Sequence, residues 1–420
     1  MKILLISAFF PPEVGSAAHL FYELGQALRH REHEVTVLTG LPRYHVIGGQ
    51  KHSRQRPFIH ETYHGLKVLR VFNLDVPWAQ PILRGLDQLV FAFFAAVAGL
   101  GLPAFDAALV YSPPLPLALA AWALCRCRRR PVVVNIQDLF PQSAIDLGVL
   151  KNSHLIRVFR RMESFLYRRA DLVTAHSEGN RRYILNAGGD PSRVEVIPNW
   201  IDTEAIKPAP RHHGLRSGLG LDEKFIVSFA GIMGFSQDLE TVLQSAEHLK
   251  DHRDIAFLLV GDGVEKPKLA AIARDRNLDN VYFLPMQPKE KYPDVLAASD
   301  VCLATLRKEV RTPVVPSKIL SIMAAGRPVL ASLPLAGDAP RLIAAARCGI
   351  SIAPGEPQAM AEAILQLYQN REQGEVMGAS GREFVVRHFS LEHCAKILEN
   401  CLKQVCQADR SLVRSDVPAI

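Results

Sequence analysis

Several features that would classify this chain at once are missing from it. Its 420 residues hold only seven cysteines, scattered and without a CxxC pair. A disulfide scaffold and a zinc framework are therefore excluded, and the thiols are expected to be buried in a reducing compartment. Strong charge of one sign is also lacking. Lys and Arg total 49 against 42 Asp and Glu, a net +7, which suits anionic small molecules or an acidic membrane surface. No helix-turn-helix, zinc-finger or RNA-binding signature accompanies that excess, so nucleic acid is not the expected partner. Long apolar runs are absent too. The longest, Leu89 to Leu102, is fourteen residues with two glycines, short of the roughly 20 needed to span a bilayer. At the N-terminus, MKILLISAFFPP stops at Pro11-Pro12 and flows into a helical pattern, so a buried first strand is expected there in place of a signal peptide. Finally there is no GxGxxG, no Asp-x-Asp after a strand, and no His/Asp cluster with metal-ligand spacing.

What remains is 48% hydrophobic, enough for two or three domains with large cores. Apolar runs alternate with helical spacing throughout. Lys2 to Phe9, His33 to Gly40, Leu66 to Phe72, Ala107 to Tyr111, Val132 to Gln137 and Leu172 to His176 predict strands. Ala17 to Arg29, Pro81 to Leu100 and Ser153 to Arg169 predict helices. Lys207 to Asp222 is polar and Pro/Gly-rich, and a second alternation starts at Phe225. The expected fold is α/β, two doubly wound Rossmann-like domains facing a cleft. The first covers 1–198, a linker 199–224, and the second 225–385. The tail 408–420 is expected to be disordered.

Arg311 to Ser332, RTPVVPSKILSIMAAGRPVLAS, stands out within the second half. Lys318 to Ala325 reads as a short helix after Pro316, with Ser317 as its N-cap. A helix start bearing Ser and Lys is an anion site, since amides, dipole and ammonium converge there. The alternative is a packed αβ unit with Lys318 merely solvated. Gly15 and Ser16 follow the first strand, where doubly wound sheets bind ligands. Asp138 follows a buried strand at the same sheet edge, either as a functional carboxylate or as a helix cap. His19 and His176 are lesser candidates. Arg157, Arg160, Arg161, Arg168 and Arg169, with the arginines at 126 and 128–130, form either a solvated face or one that meets anionic lipid.

PPEVGSA, HEVTVLT, QDLFPQSAIDLGVL, VTAHSEG, VIPNWID, FAGIMG with DLETVLQSA, VGDGVEKPKL, VYFLP, ASDVCLATL and VPSKILSIMAAGRPVLAS follow one another in order over about residues 1–405. In this order they resemble the retaining glycosyltransferases of family 4 with the GT-B fold. Within that family they are most similar to bacterial transferases of capsule, O-antigen or colanic-acid assembly, of the fucosamine-transferase kind. The resemblance implies transfer of an N-acetylated hexose or deoxyhexose from a nucleotide-sugar, UDP-linked, to a lipid-linked or saccharide acceptor. It places the donor on the second domain and the acceptor on the first, and it brings a final helix, about 386–407, back onto the first domain. The expected localisation is cytoplasmic, and peripheral on the inner face of the inner membrane if the arginine face is the lipid-facing one.

The resemblance also distributes roles. Gly15 and Ser16 approach the donor phosphates, and Gly231 and Gly234 form the turn beneath the diphosphate. Phe283, Leu284 and Met286 hold the base, Ser317 and Lys318 meet the phosphates, and Asp138 lies by the transferring sugar. No metal or cofactor is expected: the helix dipole, Lys318 and amides would stabilise the leaving diphosphate, and no glycosidase-like carboxylate pair is needed. Departures from the family pattern are equally specific. Its two glutamates, eight positions apart, are Pro313 and Ser321 here, and its basic pair on the phosphate turn is Ile232 and Gln237. Lys266 and Arg311 are the candidate substitutes. The competing readings are a sugar-nucleotide epimerase, which needs more acid/base groups, and a catalytically weak nucleotide-sugar-binding protein.

Overall fold

A computed structural model describes the chain except residues 14–15, 43–55, 77–79, 212–213, 311–314 and 416–420. It divides into two compact units, Met1–Asn199 with Leu391–Ile420, and Trp200–Ser390.

The first unit begins β1 (Lys2–Ile6), α1 (Ser16–His30), β2 (Glu34–Gly40), β3 (Phe58–Tyr63), β4 (Leu66–Val71) and α2 (Pro81–Leu100). It continues β5 (Ala107–Ser112), α3 (Leu115–Arg128), β6 (Val132–Ile136), α4 (Gln142–Asp146) and α5 (Ser153–Arg169), then β7 (Leu172–Ala175), α6 (Glu178–Asn186) and β8 (Val194–Val196). Its sheet runs β3-β4-β2-β1-β5-β6-β7-β8, parallel throughout except for β3, which pairs antiparallel with β4. β5 and β6 are buried along their whole length, as strands covered on both faces must be. α5 starts where Asn152 accepts the amides of His154 and Leu155 at 3.0 and 3.1 Å, and α6 where Ser177 accepts that of Asn180.

The second unit contains α7 (Gly214–Leu219), β9 (Phe225–Ala230), α8 (Leu239–His248), β10 (Ile255–Val260), α9 (Lys266–Asp275), β11 (Val281–Leu284), α10 (Tyr292–Ala297) and β12 (Val301–Thr305). α11 (Ser317–Ala324), β13 (Val329–Ser332), α12 (Asp338–Ala346), β14 (Gly349–Ile352), α13 (Pro357–Gln369) and α14 (Arg371–Phe389) complete it, and α15 (Leu391–Ser415) ends the chain in the first unit. Its six strands run β11-β10-β9-β12-β13-β14, all parallel. Strand order reverses between β1 and β5 in one sheet and between β9 and β12 in the other, and crevices open at the carboxyl ends of such reversals.

Five expectations need correction. The tail is helical through Ser415 rather than disordered from residue 408, because the apolar spacing that starts α15 lets the helix propagate into polar sequence. Residues 386–389 belong to α14, so the last helix starts at Leu391. The linker contains α7, where Arg216 is buried and its guanidinium donates to Asp300 at 2.6 Å and to the Ala298 carbonyl at 2.8 Å. Among the cysteines, Cys127 is exposed and Cys406 half-buried. The apolar stretch also starts earlier than its longest run suggests: the segment Leu83–Leu100 of α2 has the length and composition to cross a bilayer, with one third of it buried.

Candidate active site

Two neighbouring strands of the second unit end in glycine turns that touch backbone to backbone. Gly231 follows β9 at φ +145° and Gly261 follows β10 at φ +154°, conformations that side chains rarely tolerate. A Cβ at Gly261 would fall 1.9 Å from the Gly231 carbonyl oxygen. The turns are laced together: the Gly231 amide donates to the Val260 carbonyl at 2.9 Å, that of Met233 to Asp262 at 2.8 Å, and that of Glu265 to Met233 at 3.0 Å. Gly234 leads into a short 3-10 turn, after which Asp238 takes a left-handed conformation. The Asp238 carboxylate accepts from the Thr241 hydroxyl at 2.9 Å and the Gly355 amide at 3.1 Å. Thr305, the last residue of β12, donates its hydroxyl to the Gln237 carbonyl.

Onto this platform comes the start of α11. Lys318 donates to Gln237 Oε1 at 2.7 Å, and its ammonium lies 3.7 Å from the centre of the Phe229 ring. Among the described residues no carboxylate pairs with it. Desolvation pulls its pKa down to about 7 from 10.5. The merely solvated lysine is thus not what the fold contains. Ser317 is the first helical residue and not the N-cap, because Pro316 with its fixed φ occupies the cap position and offers no side-chain acceptor. The first amides of α11 still head the helix, where they lack intrahelical acceptors.

Phe283 and Leu284 close the edge strand β11, half-buried, and Met286 is exposed just beyond. Ile232, Phe235 and Val264 are each more than 60% exposed on the adjoining turns, so those turns carry an apolar rim. Lys266 is not a free substitute cation: it donates to the Gly261 carbonyl at 2.8 Å and the Leu284 carbonyl at 3.2 Å, pinning those strand ends. Ser321 is buried and hydrogen-bonded to Tyr292. Gly15, Arg311 and Pro313 fall outside the described residues. Ser16 opens α1.

The role of one residue, and another residue altogether, escaped the sequence reading. Gln237 holds the ammonium, where the family pattern has a cation. Arg307 follows β12, donates its amide to the Ser236 carbonyl at 2.9 Å, and directs its guanidinium toward Glu240 and Glu265 at 3.4 and 3.5 Å. The signal for Arg307 was a basic residue just past a buried strand at the point where strand order reverses.

In the first unit, Asp138 follows β6 and is exposed. It caps no helix side chain to amide, since Pro141 precedes α4. Although the residue is open to solvent on one side, the protein packed around its carboxyl desolvates it and raises its pKa, and nearby His176, when charged, opposes the rise. His176 is buried with Nε2 2.8 Å from the Asn180 amide nitrogen. Beneath, Asn199 donates to Gln137, Gln137 to Asn135 and Asn135 to Thr174, at 2.7, 2.7 and 2.9 Å. This buried polar chain fixes the end of β6, and with it the place of Asp138. His19 is half-buried on α1. Among the described residues no three His, Cys, Asp or Glu side chains converge as a metal-binding set.

The paired-turn platform and the lysine-headed helix lie in one of two doubly wound units, and such pairs of parallel-sheet units are the GT-B fold of glycosyltransferases. The profile described as "Glycosyl transferase 4-like domain" matches residues 15–200, and that described as "Glycosyl transferases group 1" matches residues 224–370. The chain belongs to the family 4 glycosyltransferases. It is 27% identical over 337 residues to the putative colanic acid biosynthesis glycosyl transferase WcaI of Escherichia coli K12, covering 78% of this chain and 82% of that one. With the probable glycosyltransferase WbjE of Pseudomonas aeruginosa it shares 28% identity over 236 residues, 55% of this chain and 58% of WbjE. The crystal structure of Anabaena HepE in complex with UDP superposes with a TM-score of 0.73 over 96% of this chain and all of HepE, at 20% identity.

Proposed function

We propose that the protein transfers a sugar, an N-acetylated hexose or deoxyhexose, from a UDP-sugar to a lipid-linked or saccharide acceptor during cell-surface polysaccharide synthesis. Configuration at the anomeric carbon is retained and no metal takes part. The observation that carries this is Lys318: an ammonium without a carboxylate partner among the described residues, at the head of α11, beside a glycine turn at a strand-order reversal. A diphosphate seated there supplies the missing negative charge. The ammonium, the α11 dipole and the turn amides then oppose the charge that develops as the anomeric C–O bond breaks. The acceptor hydroxyl attacks from the face the diphosphate leaves, and a donor phosphate oxygen takes its proton, so no protein nucleophile is required. Asp138 orients the acceptor or the sugar. The rim of Ile232, Phe235 and Met286 supports packing against the base, with the β11 end offering backbone contacts. WcaI's colanic-acid role and the UDP in HepE support the acceptor class and the base.

The test is titration of the full chain with UDP, GDP and dTDP, followed by incubation of the matching sugar nucleotides with a membrane extract. UDP is expected to bind, and label from its sugar to enter the lipid fraction. Lys318→Ala is expected to weaken UDP binding by about 1.5–3 kcal/mol, the worth of a charge-assisted contact. Unchanged affinity would remove the phosphate from this site. A second reading, a weak binder of nucleotide-sugars, is favoured by one observation: Ser321 stands where the family carries a glutamate and is buried against Tyr292. Binding without turnover on any acceptor would select it.

A further inference from the structure

α2 packs on α3, and α3 on α5, so these three helices lie side by side on one face of the first unit's sheet. The inward side of α2 is core: Phe91, Ala92 and Ala95 are at most 6% exposed, and buried Asp87 accepts the Leu74 amide at 2.8 Å. Its outward side carries Leu83, Leu86, Leu89, Phe93, Val97 and Leu100, between 39% and 64% exposed. At 100° per residue these six fall within an arc of about 120°, a continuous apolar stripe about 26 Å long. No charged side chain interrupts it. Nucleotide-sugar chemistry makes no use of this stripe, and water alone does not favour it.

The surroundings of the stripe are basic. Arg128 donates to the carbonyls of Leu100 and Leu102 at 2.7 and 2.9 Å, which ties the end of α3 to the end of α2. Arg126 reaches the Arg169 carbonyl at 3.3 Å, which ties α3 to the end of α5. Arg126, Arg129, Arg168 and Arg169 are exposed there. An apolar stripe that ends in a cluster of cations matches one environment, a bilayer surface with anionic headgroups. Acyl chains take the stripe and phosphates take the guanidinium groups.

We infer that α2 is an interfacial membrane anchor, lying in the plane of an anionic bilayer with its leucine and phenylalanine stripe inserted among the acyl chains. It does not cross the bilayer. A crossing helix would have to leave the core it helps to build, exposing Phe91 and Ala95 and burying Asp87 in lipid. The arginines steer and orient, while the stripe supplies the binding that salt does not screen.

Flotation of the full chain with vesicles of phosphatidylcholine and phosphatidylglycerol, two to one, tests this. The wild type is expected to float, and to remain in part vesicle-bound in high salt. A Leu89→Gln/Phe93→Gln variant is expected to bind at least about tenfold more weakly, with unchanged circular dichroism and unchanged UDP binding, so the lipid result stands apart from the donor-site reading. Phe93→Trp should shift its emission to the blue when vesicles are added. The inference is overturned if the wild type does not float, if salt releases wild type and double variant alike, or if the stripe instead holds a dimer in sedimentation that the double variant breaks.

Discussion

Lys318 is a base whose affinity for its proton has been set by its neighbours. With its folded pKa down at about 7 and its ordinary value at 10.5, its burial penalises folding at low pH. The penalty is full below about pH 7 and gone above about 10.5. Lys318→Met is therefore expected to raise the melting temperature of the ligand-free protein at pH 7, by an amount worth roughly 1–2 kcal/mol. The gain should shrink toward pH 10, as thermal melts at stepped pH would reveal. A bound diphosphate reverses the field and raises the same pKa, so UDP binding near pH 8 should take up as much as about one proton. Calorimetry in buffers of different ionisation enthalpy measures this directly. No uptake would mean that the phosphates lie elsewhere.

At the scale of elements, the platform depends on two backbones that no side chain can separate. Gly261→Ala forces a Cβ against the Gly231 carbonyl in a conformation that alanine avoids, and is expected to destabilise the second unit by more than about 2 kcal/mol. Urea titration would show it. Most of this was legible beforehand. The α/β alternation and the Gly231 turn follow from buried strand runs and glycine placement, and the Lys318 helix from good helix formers between Pro316 and Gly326. What could not be read were pairings distant in sequence. Gln237 and Lys318 meet across 81 residues, and nothing local in either marks the other. α3 hid because its apolar residues surround it without a polar stripe, and β3 because its antiparallel edge position lets it be polar. Lys266 looked like a spare cation, but its proximity in sequence to Gly261 reflects a structural duty to two carbonyls.

On the scale of the whole molecule, the first unit is discontinuous, and α15 completes it against α1. Glu399 of α15 accepts from Arg31 Nε at 2.6 Å and lies 3.1 Å from His33 Nε2. Burial raises its pKa, but hydrogen bonds from Lys403, Arg31 and His33 outweigh that and hold it down at about 2. This contribution is complete above the ordinary 4.5 and is lost as pH falls toward about 2. Glu399→Gln is expected to cost roughly 1–3 kcal/mol at pH 7, and progressively less below pH 4, by urea titration at each pH. Removing residues 391–420 should abolish cooperative unfolding of the first unit while leaving UDP binding by the second intact, read by limited proteolysis and calorimetry.

The same closure orders events during synthesis. Domains generally fold as units in the order in which they emerge from the ribosome, yet the first unit lacks a helix until residues 391–420 are made. The second unit, Trp200–Ser390, is continuous and can fold while its predecessor waits with α1 lacking its packing partner. The part of the chain translated first is thus the part that finishes later, and a ribosome that stalls before residue 391 releases a protein with a finished second unit and an unfinished first.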